Sequence, residues 1–230
     1  MEKKYELTDE TIKINGRTLH RIRALRDFGD IKTGDIGGYI EKEDNLSHKG
    51  ECWVGNSAKV FDNAEVCDNA LINDSALAYD NAKISNDAKI SDGARVFQNA
   101  RVSGNAHIQV LAKIYGNAKI CNNANISDNA KIYHDAQIDG SAIISKNAEI
   151  FDDAYVFEFA CISDDARVFG KAKVYGFARV HQGGHVSEKA KVGGCAEVSG
   201  NARVFGGSIV CDSAKVTGDT KVSGNDTVLR

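Results

Sequence analysis

The sequence predicts an all-β solenoid of triangular cross-section, and three observations carry that prediction. Every sixth residue is small, and from Ala58 to Ala178 that slot is alanine without exception. Two places further on stands a branched aliphatic, from Val60, Val66 and Ile72 through to Val180, interrupted by Ala78. The residue after each aliphatic changes character with a second period of 18. A period this long and unbroken marks stacked coils that share one continuous core.

Each element of the repeat has a physical reason. A helix needs a 3.6-residue period and a long strand alternates by two, so a period of six fits neither. It fits a short strand centred on Val or Ile, a turn, and another short strand. The turn falls at pairs such as Asp62-Asn63, Gly104-Asn105 and Gly200-Asn201. Asparagine tolerates positive φ and bonds local backbone, so the Asn slot is expected to carry the turn conformation. Alanine is small where the coil bends inward, while Val and Ile fill the centre.

Taken at intervals of 18, the residues after the aliphatics fall into three columns. The first holds Phe61, Tyr79, Phe97, Tyr115, Tyr133, Phe151 and Phe169; the second opens with Cys67 and Ser85, the third with Asn73 and Ser91. Three columns of different chemistry mean three faces. About ten coils at ~4.8 Å per stacked strand give a rod of ~50 Å.

Residues 1–51 read as a cap and 52–230 as the repeat domain. Ile12-Lys13-Ile14 and Arg17-Thr18-Leu19 flank Asn15-Gly16, the signature of a two-residue hairpin with a type I′ turn. Extending the repeat frame backwards reaches Leu46 and places Lys42 and His48 in inward slots, which the hairpin is expected to cover. At the other end Ser208, Thr220 and Asp226 replace alanine.

The repeat resembles the hexapeptide repeat of left-handed parallel β-helices across roughly residues 52–228. The stretch Thr11–Asp30, with Gly37-Gly38-Tyr39-Ile40-Glu41-Lys42-Glu43 and Cys52-Trp53-Val54, is similar to a head found on phage and prophage hexapeptide proteins. The resemblance implies a single-stranded left-handed helix and a phage-encoded protein in the host cytoplasm. Members are often labelled acyltransferases. Such enzymes add an extruded loop, a histidine base beside an acyl-CoA cleft, and a C-terminal helix or tail. Here the frame runs without an inserted residue from Cys52 to Val228, which argues against acyl transfer. Fold alone does not assign function.

Composition narrows the classes further. The chain has 230 residues and a formal charge of −3, so no bulk basicity advertises a nucleic-acid polymer as partner. The start Met1-Glu2-Lys3-Lys4 is no signal peptide, and no run approaches the ~20 apolar residues of a membrane span. Six cysteines show no metal-ligand spacing, and the expectation is reduced thiols, no metal and no cofactor. His107 and His134 read as surface residues. His181-Gln182-Gly183-Gly184-His185 is a local disturbance where a softened turn outweighs a metal or general-base site. No catalytic residue is assigned.

The binding candidates lie on the first face. Residues just before and just after an inward aliphatic both point outward. That face therefore reads Arg95 with Phe97, Lys113 with Tyr115, Lys131 with Tyr133, Phe151 behind Glu149, and Arg167 with Phe169. The Asp residues gather at the corners instead. In one reading the rings stack up the ladder and lysine stems cover them; in another, a long exposed row of rings exceeds what a monomer normally leaves uncovered. Burial in a homo-oligomer, dimer or trimer, or against a host protein is the expectation. Rings interleaved with cations also suit a small anionic nucleotide, such as a signal of host defence held in a sponge.

Overall fold

The computed structural model describes residues 3–229. Tyr5–Ile14 (β1) and Arg17–Ala24 (β2) form the antiparallel hairpin. Asn15 at φ 50° and Gly16 at φ 82° make its turn, the geometry whose twist matches that of the flanking strands. Ile36–Ile40 (β3) pairs antiparallel with β2 and, on its other side, parallel with Lys59–Val60 (β5). The head therefore continues a sheet of the solenoid.

Trp53–Val54 (β4), β5 and Glu65–Val66 (β6) open three columns of two-residue strands. Each column is a parallel sheet whose partners lie 18 residues apart, as in Lys59↔Leu77 and Leu77↔Arg95. The sheet containing β5, with the hairpin, has 13 strands; those containing β6 and β4 have 10 each. We call these the first, second and third faces. Alanine, valine and isoleucine line the axis with zero or near-zero exposure. Burial of one such side chain contributes about 1.5–3 kcal/mol for Val or Ile.

The turn differs from expectation in one respect. The left-handed residue precedes the asparagine: Asp62 has φ 59°, Asp68 58° and Asp80 57°. A carboxylate suits that slot because it accepts a backbone N–H one coil further on. Asp68 receives Asn86 N–H at 3.0 Å, and Asp80 receives Gln98 N–H at 3.1 Å. Asparagine recurs next to it for another reason. Its amides form a ladder, with Asn63 donating to Asn81 at 3.2 Å, Asn81 to Asn99 at 3.1 Å and Asn99 to Asn117 at 3.1 Å.

A second correction concerns the first coil. Lys42 and His48 are not the inward residues. Ile40 pairs with Val60 and Leu46 with Val66, and both Ile40 and Leu46 are fully buried. The Ser47–Glu51 segment absorbs the difference in frame before β4. Lys42 turns out to bond Asn63 at 3.1 Å, and the His48 ring stacks on Tyr5 at 4.3 Å. Buried Asn45 seals the backbone beneath, donating to the carbonyls of Asp62 at 3.1 Å and Ala64 at 2.9 Å. Lys4, also buried, donates to the Cys52 carbonyl at 2.8 Å.

Candidate functional site

On the first face the strand centres are extended and in register, so equivalent side chains of successive coils lie directly above one another. Phe61, Tyr79, Phe97, Tyr115, Tyr133, Phe151 and Phe169 form one continuous stack. Centroids are 4.9–5.1 Å apart and neighbouring rings lie within 7° of parallel. The hairpin covers the upper end, where Leu19, Tyr39 and Phe61 pack together.

The stack changes what the rings can do. From Tyr79 to Phe169 each ring is half-buried by its neighbours, not exposed as a row of free faces. Their π-faces are already occupied, at ~0.5–1.5 kcal/mol per pair beyond burial. Edges remain for a partner. A planar base cannot insert within the stack without breaking it. Burial raises the phenol pKa of Tyr79 and Tyr115, and burial with the nearby Glu149 carboxylate pushes Tyr133 up to about 12.

The flanking charges divide into two groups. Glu149 holds Lys131 at 2.9 Å and Arg167 at 3.3 Å. Arg95 and Lys113 have no carboxylate partner among the described residues, and Arg95 is exposed. Arg95 also lines a cavity of about 300 Å³ with Tyr79, Leu77 and the hairpin tip at Asn15 and Arg17. Arg17 is anchored there by ion pairs to Asp62 and, at 3.6 Å, to Glu41. The nine sequence candidates thus share one face, and among them Arg95 and Lys113 are the cations without a carboxylate partner.

The histidines do not form a joint centre. His181 leaves the third face and meets Glu197 at 3.1 Å. His185 leaves the first face and sits edge-on to Phe169 at 6.5 Å. Burial, with the Arg203 and Arg167 charges, lowers the His185 pKa, keeping it neutral at pH 7. His134 bonds Asp152 at 3.0 Å from a corner, and His107 is exposed. No group of three His, Cys, Asp or Glu among the described residues has metal-binding geometry. No described helix is long and apolar enough to cross a membrane.

Sequence reasoning missed a second cluster. Phe159 and Phe177 stack at 5.0 Å on the corner between the second and third faces, and they are 56% and 61% exposed. With Ile143, Cys161, Arg179 and His181 they border a cavity of about 380 Å³. The available signal was a phenylalanine in slots that carry Asn69, Asn105 and Asn123 in other coils.

The repeat and its three parallel sheets define a left-handed β-helix protein of the hexapeptide-repeat kind. A family model described as the YdcK beta solenoid repeat matches residues 196–212. A protein of Escherichia coli K12 named "Uncharacterized acetyltransferase YdcK" is 36% identical over 55 residues, covering 24% of this chain. The match spans 17% of that relative's length.

Proposed function

We propose that the protein acts by binding, and that its first face docks the acidic surface of another protein. The observation that carries the reading is the flat, in-register wall of ring edges flanked by cations, with Arg95 and Lys113 unneutralised. Ring edges carry the positive side of the aromatic quadrupole. They therefore favour carboxylates as the cations do. The likeness of the head to phage proteins points to a host protein in the cytoplasm as the partner. Two copies of this face would oppose cation to cation, which disfavours self-association here.

The test is charge reversal that spares the stack. Arg95→Glu with Lys113→Glu leaves every ring and inward residue in place. We expect unchanged circular dichroism, loss of capture from lysate, and a wild-type interaction that weakens with salt. A variant that retains every partner removes the reading. The name of the E. coli relative favours a second reading, acetyl transfer. Turnover of acetyl-CoA by the purified chain, abolished by His181→Ala, would replace binding with catalysis.

A further inference from the structure

The charged residues of this chain are spread over its surface with one gap. On the third face, between Lys89 and Arg179, the outward residues before the strand centres are His107, Asn125, Ile143 and Cys161. Those after the centres are Ser91, Gln109, Ser127, Ser145 and Ser163. None carries a formal charge when His107 is neutral. Between the head and the final coil, every large apolar side chain exposed among the described residues lies on this face or its two corners. Ile143 is 47% exposed at the centre, Phe159 and Phe177 flank one corner, and Leu111, 55% exposed, flanks the other. An apolar, charge-depleted centre with a polar rim is the anatomy of a protein interface.

We infer that this wall is the interface of a two-fold dimer in which two solenoids pack antiparallel, with the axis crossing the Ile143 rung. About that rung the ends of the strand column match in charge, as an isologous contact favours, while Phe159 and Phe177 fall opposite the partner's Asn123 and Asn105 and Arg179 opposite the partner's His107. Residues equidistant from it on the same column oppose one another in the dimer. Ile143 meets its own mate. Lys89 faces the partner's Glu197, an opposite charge at each end. Ser91 and Ser127 face the partner's Ser199 and Ser163. Leu111 comes opposite the partner's Gly183, where no side chain obstructs it. At the rim Lys146 approaches its mate, each held by its own Asp164 at 2.5 Å.

The wall is small. Seven rungs at ~4.8 Å span about 30 Å, and with a width of ~15 Å the footprint is at the low end of specific interfaces. The dimer therefore dissociates on dilution. It is independent of the partner reading for the first face, which stays open on both copies.

Sedimentation velocity over a wide concentration range is the first measurement, with a monomer–dimer equilibrium expected. Ile143→Lys is outward and leaves the core intact. It should weaken association by about tenfold or more, and Phe177→Ser should weaken it less. Lys89→Glu and Glu197→Lys should each weaken the dimer, and their combination should restore it. Ile143→Cys, in a background with Cys161 and Cys195 replaced by serine, should oxidise to a covalent dimer. A monomer at every concentration overturns the inference. So does a dimer indifferent to Ile143→Lys, or a double charge reversal no better than its parts. Arg95→Glu with Lys113→Glu should leave this equilibrium unchanged, so failure on one face is distinguishable from failure on the other.

Discussion

Val110 occupies the left-handed corner slot with φ 62°, where other coils place Asp, Asn or Gly or an unbranched polar residue such as Gln98, Lys146 or Glu158. A β-branched side chain is strained there, at a cost on the order of 1–3 kcal/mol. Val110→Asn should raise stability by about 1 kcal/mol, read from the denaturant midpoint; no gain would show that the corner has relaxed around valine. Asp164, three coils further along the same corner column, illustrates the opposite case. Its carboxylate accepts from Lys146 and from the Gln182 backbone N–H, and these bonds hold its pKa below the usual 3.8. A depressed folded pKa contributes stability above the unfolded value that is lost as pH falls through the folded one. Acid titration should therefore lower the melting temperature below about pH 4, and Asp164→Asn should reduce that dependence. Thiols separate by access: exposed Cys195 should alkylate first, whereas Cys67 and Cys121, pushed up to about 11 by burial, should lag.

At the level of the element, the coil is legible in the sequence because two needs recur at fixed spacing. Alanine must be small at the bend and Val or Ile must fill the axis, so the period, the three faces and the aromatic column all follow. The Asn slot was harder to read. Two adjacent residues both favour turns, and only the coordinates separate the αL aspartate from the ladder asparagine. The first coil was misread by two positions because the Ser47–Glu51 insertion carries no apolar marker. Ring accessibility stayed open in the sequence, since a column shows that rings align and not whether they consume each other's faces or offer them to a partner. Core substitutions test the coil directly. Ile114→Ala should cost about 2–5 kcal/mol, with a melt less cooperative than wild type. A cost below 1 kcal/mol would mean the axis repacks freely.

For the whole molecule, stability is distributed along the rod, because each coil touches only its neighbours. The head adds the sealed end: Asn45, Lys4 and Leu46 satisfy or cover the backbone and apolar groups that a first coil would otherwise expose. Replacing Asn45 by alanine leaves the carbonyls of Asp62 and Ala64 unpaired. That should cost about 1–3 kcal/mol, with hydrogen exchange accelerating first near residues 40–66. Uniform acceleration along the chain would contradict a locally sealed rod. The candidate docking wall was legible as a set of residues. The charge-depleted third face was not, because it is defined by what its columns lack and by corner residues several coils apart.

The rod is also a counting device. A deletion of 18 residues shortens it by one turn and returns every later side chain to its former bearing. Losing six keeps alanine and valine inward, so the protein still folds, yet everything downstream rotates by about a third of a revolution. Phenylalanines that prolonged the aromatic column would then continue it on a neighbouring wall. Viable length changes in such chains are thus phase-locked to whole turns, and a six-residue slip would spare folding while scrambling recognition.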